Sequence, residues 1–146
     1  MHDRELLLQV VRDAYAARVR GDVDGVLSCF THDALFRLNA APHNHVTAVH
    51  AIDGGELRRA LAQLIENYEF RDYEVVDSVV EGDKAAVRSM FTVCARKTGN
   101  AAKTEVLDLI EFREGRICSF AQFFDTAFAN HLMAAQDTSE SLQAMA

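Results

Sequence analysis

The stretch YEVVDSVVEGDKAAVRSMFTVCARKTGNAAKTEVLDLIEFREGRICSFAQFFDT, residues 73–126, decides how the back half of the chain folds. Its apolar residues recur with a period of two. Tyr73, Val75, Asp77 and Val79 alternate with Glu74, Val76, Ser78 and Val80 as far as Glu81-Gly82-Asp83. Further runs of the same kind cover Ala85 to Arg96, Lys103 to Arg113 and Ile117 to Thr126, separated by Thr98-Gly99-Asn100 and Glu114-Gly115. Long alternating runs joined by short glycine-containing turns predict an antiparallel meander.

Upstream the period changes. Leu7, Val10, Val11, Ala14 and Ala17 form a helical stripe, with Arg4, Arg12 and Arg20 on the other side. Gly21 is placed to stop this helix, and Asp22 to cap a short second one running through Phe30. Ala34 to Asn39 reads as a strand, broken by Pro42 and His43-Asn44-His45, and Val46 to Ile52 as a return strand. Asp53-Gly54-Gly55 opens a third helix with Leu57, Leu61, Leu64 and Ile65 on one face. Ala127 to Met133 has room for one more helix. Helices in front and a hairpin-connected antiparallel sheet behind predict an α+β fold. Residues 1–136 are expected to form one domain, and the polar residues 137–146 a flexible tail. Helices can cover one face of such a sheet, so a homodimer through the outer face is expected.

Composition narrows the function. At 146 residues the chain is long enough for one well-buried core. The net charge of −7 opposes nucleic acid as a partner. No segment has the length of apolar sequence that spans a membrane, and the acidic N-terminus does not read as a signal peptide, so a cytoplasmic location is expected. Cys29, Cys94 and Cys118 lack the spacing of a zinc site and read as reduced, buried thiols. His43, His45 and His50 cluster near one loop, but no acid stands at ligand spacing beside them. A lid over a pocket, with His50 or His45 touching ligand, is expected there rather than a metal site. No glycine-rich phosphate loop or nucleophile elbow is present, and no cofactor is expected.

Two stretches resemble a known family. AYAARVRGDVDGVLSCFTHDALF (14–36) is similar to the opening of ketosteroid isomerase and SnoaL-like proteins, and EVLDLIEFREGRICSFAQFFDTA (105–127) to their closing hairpin. The resemblance implies the cone-shaped fold of the nuclear-transport-factor-2-like superfamily, with a hydrophobic pocket inside the cone. Ketosteroid isomerases use a carboxylate base, a tyrosine donor and a protonated aspartic acid. Asp108 matches that aspartic acid. The tyrosine position falls on Ala14, with Tyr15 one residue later, and the base position falls on Leu38. The usual isomerase route is therefore not expected.

Within the resemblance, Asp108, Tyr15 and Asp125 are the candidate catalytic residues. Phe36, Leu38, His50, Phe91, Ile110, Phe120, Gln122 and Phe124 are the candidate ligand contacts. Asp108 should share an apolar face with Val106, Ile110 and Phe112, where desolvation raises a carboxyl pKa. It could equally pair with a buried arginine. Asp125 could act on a ligand or cap the last helix. Gln122 should face the pocket with Phe120 and Phe124, whereas Arg37 and Arg88 should point outward. Two functions stay open. One is an isomerase, cyclase or dehydratase acting on a hydrophobic carbonyl compound. The other is a non-catalytic module that binds a small ligand or dimerises.

Overall fold

Helix α1 (Arg4–Arg20) begins where the Asp3 carboxylate accepts from the backbone N–H of Glu5, and it ends at Gly21. Gly21 adopts φ 73°, a left-handed conformation that suits a residue without Cβ, and its N–H closes on Ala17 and Arg18 carbonyls. Asp22 then caps the short helix α2 (Val23–Leu27) by accepting from the N–H of Gly25 at 2.9 Å. Strand β1 (Phe30–Asn39) and a short β2 (Val49–Ala51) follow, then helix α3 (Gly54–Asn67). The meander is β3 (Tyr68–Glu81), β4 (Lys84–Ala95), β5 (Ala101–Arg113) and β6 (Arg116–Phe123). This computed structural model describes residues 3–39, 49–51, 54–129 and 131–132.

The sheet order is β2-β1-β6-β5-β4-β3. The four meander strands pair antiparallel, as their turns require, but β1 joins β6 in parallel. The sheet is therefore mixed, which corrects the expectation of a wholly antiparallel one. Helix α3 and the meander separate β1 from β6 in sequence, and a connection of that length permits parallel pairing. Two register shifts in β3, beside Asp72 at φ 57°, are bulges that bend the strand. The bend curves the sheet into a cone over α1. Of the return strand expected over Val46 to Ile52, Val49–Ala51 is seen; residues 40–48 and 52–53 lie outside the described set, as do Met133 and the 137–146 tail.

Alternation does the packing. On β4, Ala85, Val87, Ser89, Phe91, Val93 and Ala95 turn inward and are buried; on β5, Val106, Asp108, Ile110 and Phe112 do the same. They meet Leu7, Leu8, Val11 and Ala14 of α1 in one continuous core. Arg37 and Arg88 point outward as parity requires, and Arg88 pairs with Glu105 at 2.8 Å. The three cysteines are free and half-buried rather than fully buried.

Helix α2 lies close against α1, and Gly25 makes that approach possible. A Cβ on Gly25 would overlap Asp22 Oδ2 and stand 3.0 Å from Ala17 Cβ. Gly25→Ala should therefore displace the Asp22 cap and lower stability by about 1–2 kcal/mol, the usual worth of such a cap. Urea denaturation checks this, and an unchanged midpoint would mean that the cap moves without loss.

Candidate functional site

Cross-strand register assembles the site. Val87 stands opposite Asp108, Asp108 opposite Gln122, and Gln122 opposite Leu38. Directly opposed residues share a face, so one inward row across β4, β5, β6 and β1 carries a carboxyl and an amide between two apolar residues. The row ends the cavity of the cone. Ala14, Tyr15, Val26, Phe36, Leu61, Phe70, Phe91 and Phe120 contribute to an almost wholly apolar wall. The cavity is partly open to solvent and has a volume of about 130 Å³, close to that of engineered apolar cavities that take up benzene.

Tyr15 reaches this row from α1. Its hydroxyl donates to Asp108 Oδ2 at 2.5 Å and accepts from Gln122 Nε2 at 2.9 Å. Gln122 Nε2 also donates to Asp108 Oδ1 at 3.1 Å. The Tyr15 ring is fixed by stacking on Tyr73, with centroids 4.1 Å apart, and by a tilted contact with Phe91. Ser89, itself buried, donates to the Tyr73 hydroxyl at 3.1 Å and so anchors that second ring.

Asp108 has no exposed surface, and among the described residues its hydrogen-bond partners are Tyr15 and Gln122, not a cation. Loss of hydration raises its pKa to about 7, against the opposing effect of the two hydrogen bonds. Burial first, then the negative charge of Asp108, push the Tyr15 hydroxyl well above its ordinary range. Asp108 is therefore poised between its two forms near neutral pH while Tyr15 keeps its proton. Ionised Asp108 accepts from Tyr15. Neutral Asp108 can donate to the Tyr15 oxygen instead, which frees the phenolic O–H to turn toward the cavity.

Most of the expected contacts meet here. Tyr15, Phe36, Leu38, Phe91, Phe120, Gln122, Phe124 and Asp125 all border the cavity. The one-residue offset of Tyr15 does not carry it away from Asp108. Asp108 itself stands behind Tyr15 and does not border the cavity, so it reaches a ligand through the phenol rather than directly. Ile110, two residues nearer the β5–β6 turn, is a correction: it is 2% exposed and packed in the core, where that level of the cone is already filled. Asp125 is exposed, and its carboxylate accepts from the N–H of Phe128 at 3.0 Å, so it caps the last helical turn. The backbone of His50 pairs with Arg37 on the sheet edge, and its side chain, like His43 and His45, lies outside the described residues.

Arg18 was missed. It is buried beside the cavity, its guanidinium 3.9 Å from the Phe70 centroid, and Nη2 donates to the carbonyls of Leu64 and Tyr68. Its spacing from Val11 and Ala14, seven and four residues, puts it on the apolar face of α1, and that was the available signal. Tyr73 was read as an ordinary strand residue, and nothing in its spacing marks it as the stacking partner of Tyr15.

Comparison with known proteins agrees with this architecture. The SnoaL-like domain family matches residues 11–120. The chain belongs to that family. The SnoaL-like fold here is similar to an NTF2-like protein of unknown function from Burkholderia pseudomallei, at 23% identity over 87% of this chain and 96% of that one, with a TM-score of 0.76. An LEH-like epoxide hydrolase from M. tuberculosis is similar at 14% identity over 84% and 81%, with a TM-score of 0.67. TerC, co-crystallised with polyporic acid, is similar at 16% identity over 87% and 97%, with a TM-score of 0.74. At these identities the likeness is one of fold. No curated protein sequence matches the chain.

The raised pKa of Asp108 has a sign that stability can report. Between about pH 4 and pH 7 the folded chain keeps a proton on Asp108 that the unfolded chain has released. Its contribution to stability is whole below about pH 4, declines as pH rises through about 7 and is then constant. Relative to Asp108→Asn, which stays neutral, wild type should lose on the order of a few kcal/mol between pH 4 and pH 8. Urea denaturation of both proteins across that range measures the difference. Parallel curves would show that Asp108 titrates as an ordinary carboxyl.

Proposed function

We propose that the chain binds a hydrophobic small molecule bearing a carbonyl or enol oxygen in the cone cavity and moves a proton on it, as an isomerase, cyclase or dehydratase does. The observation that carries this reading is the buried Asp108, with no cation partner among the described residues, joined to the cavity by the Tyr15 hydroxyl. In an apolar site a phenol backed by a neutral carboxyl and an amide is a strong donor to an oxygen that gains negative charge. In the reverse direction, Asp108 takes the proton of Tyr15 as Tyr15 takes one from the ligand, so the pair works as a single acid or base near neutral pH. Leu38 borders the cavity where a carboxylate base would stand in a ketosteroid isomerase, which leaves Tyr15 and Asp108 to handle the proton.

Thermal-shift screening against ketones, phenols and polyketide-like ketones finds the ligand class, because binding to the folded state raises Tm. A carbonyl ligand should stabilise wild type, and Tyr15→Phe should weaken its binding about tenfold, the usual worth of such a hydrogen bond. Asp108→Asn should retain binding but cut turnover by about 10²–10⁴-fold. Turnover that survives Asp108→Asn contradicts the proton-transfer role. Tight binding with no turnover by wild type favours the non-catalytic reading.

A second copy is the proposed cover of the outer sheet face. Register places Val79, Ala86, Leu109 and Ala121 in one row across four strands, and Val79 and Leu109 are 64% and 46% exposed. Exposed apolar patches of this kind favour self-association. Light scattering should find a dimer for wild type and a monomer for Leu109→Glu; a monomeric wild type would remove this assembly and leave the cavity unaffected.

A further inference from the structure

We propose that Arg18 is an anion subsite of the cavity, and that the ligand is a hydrophobic carboxylate whose charge sits at Arg18 while its carbonyl meets the Tyr15 hydroxyl. This inference rests on the cavity reading above and adds the charge of the ligand to it.

Arg18 is only 8% exposed, yet among the described residues no carboxylate contacts it. Buried charges are normally paired, because an unpaired ion in an apolar setting loses its hydration without return. Among the described residues, the acids nearest the cavity are engaged elsewhere: Asp108 with Tyr15 and Gln122, and Asp125 with the Phe128 N–H. Arg96 adds positive charge nearby, and Glu69 is turned toward Arg71 and Arg96. Burial lowers the Arg18 pKa to about 10, so the guanidinium remains a cation at neutral pH.

Its hydrogen bonds tell the same story. A guanidinium carries five N–H donors. Nη2 makes both bonds, 3.1 Å to the Leu64 carbonyl and 2.8 Å to the Tyr68 carbonyl. The Nε and Nη1 donors bond to no described residue. Arg18 itself borders the cavity.

Capping α3 does not account for the charge. The end of a helix offers roughly half a negative charge, and its carbonyls accept from a neutral donor equally well. A cation held under Phe70 in an apolar wall has a balance left for a ligand to supply. Arg18 and Tyr15 lie three residues apart on α1, so they project from one face about one turn apart. A single ring with a carboxylate at one end and a carbonyl at the other presents one group to each of these two side chains. The net charge of −7 does not draw anions toward the protein, so the preference must arise locally.

Isothermal titration with 4-acetylbenzoate and its neutral counterpart 4-acetylbenzamide tests the proposal at pH 7. Wild type should bind the carboxylate about ten- to one-hundred-fold tighter than the amide, the range of a charge-assisted hydrogen bond. Arg18→Gln should bind both equally, through loss of carboxylate affinity alone. Arg18→Lys should keep the preference, and it serves if Arg18→Gln does not fold. Equal binding by wild type, a preference that survives Arg18→Gln, or equal binding by Arg18→Lys overturns the anion subsite and leaves the cavity reading in place. If neither probe binds wild type at millimolar concentration, the cavity reading fails and the anion subsite with it.

Discussion

A carboxylic acid buried with no cation beside it among the described residues is the constraint on which the site depends. Asp108 lies at the centre of an inward row and has no exposed surface, so its oxygens must be satisfied by neutral donors. The β5–β6 register supplies one by setting Gln122 directly opposite. Helix α1 supplies the other through Tyr15, which places demands of its own on the helix, because the phenol must be held while the carboxyl changes state. Stacking on Tyr73, with Ser89 behind it, meets that demand. Caps at both ends of α1 and the close approach of α2 through Gly25 fix the helix against the sheet.

The site departs from the ketosteroid isomerase arrangement in a consistent way. Where that enzyme has separate tyrosine, neutral acid and base, this chain brings a displaced tyrosine into contact with the acid and puts leucine at the base position. One residue along a helix is about 100° of rotation, yet the phenol is long enough to reach the same row from the neighbouring position. Asp108 then acts behind Tyr15 rather than beside it. On the function proposed above, the donor strength of such a site follows the protonation of a group that does not border the cavity.

Much of this was legible in the sequence because strand parity is a strict rule. Alternation placed Asp108 with Val106, Ile110 and Phe112, and Gln122 with Phe120 and Phe124; the sheet keeps the β5 set, Phe120 and Gln122 inward, and Phe124, just past β6, borders the cavity. Parity does not say how far along a cone a residue lies, so Ile110 was expected at the cavity and belongs to the core. Nor does it give strand order, so the parallel pairing of β1 with β6, which brings Leu38 beside Gln122, was not foreseen. Helical spacing did hold the signal for Arg18. A cation on an apolar stripe is easily read as a solvated side chain, and only its burial shows otherwise. The stacking of Tyr73 on Tyr15 depends on a bulge in β3 that no local pattern announces.

The most direct test is the titration of Asp108 itself, followed by the carbon-13 shift of its side-chain carboxyl in protein labelled at aspartate and assigned with Asp108→Asn. The account predicts a midpoint near 7 in wild type, and a higher one in Tyr15→Phe, where a hydrogen bond that favours the carboxylate is gone. A midpoint near 4, the value of an ordinary carboxyl, would contradict it.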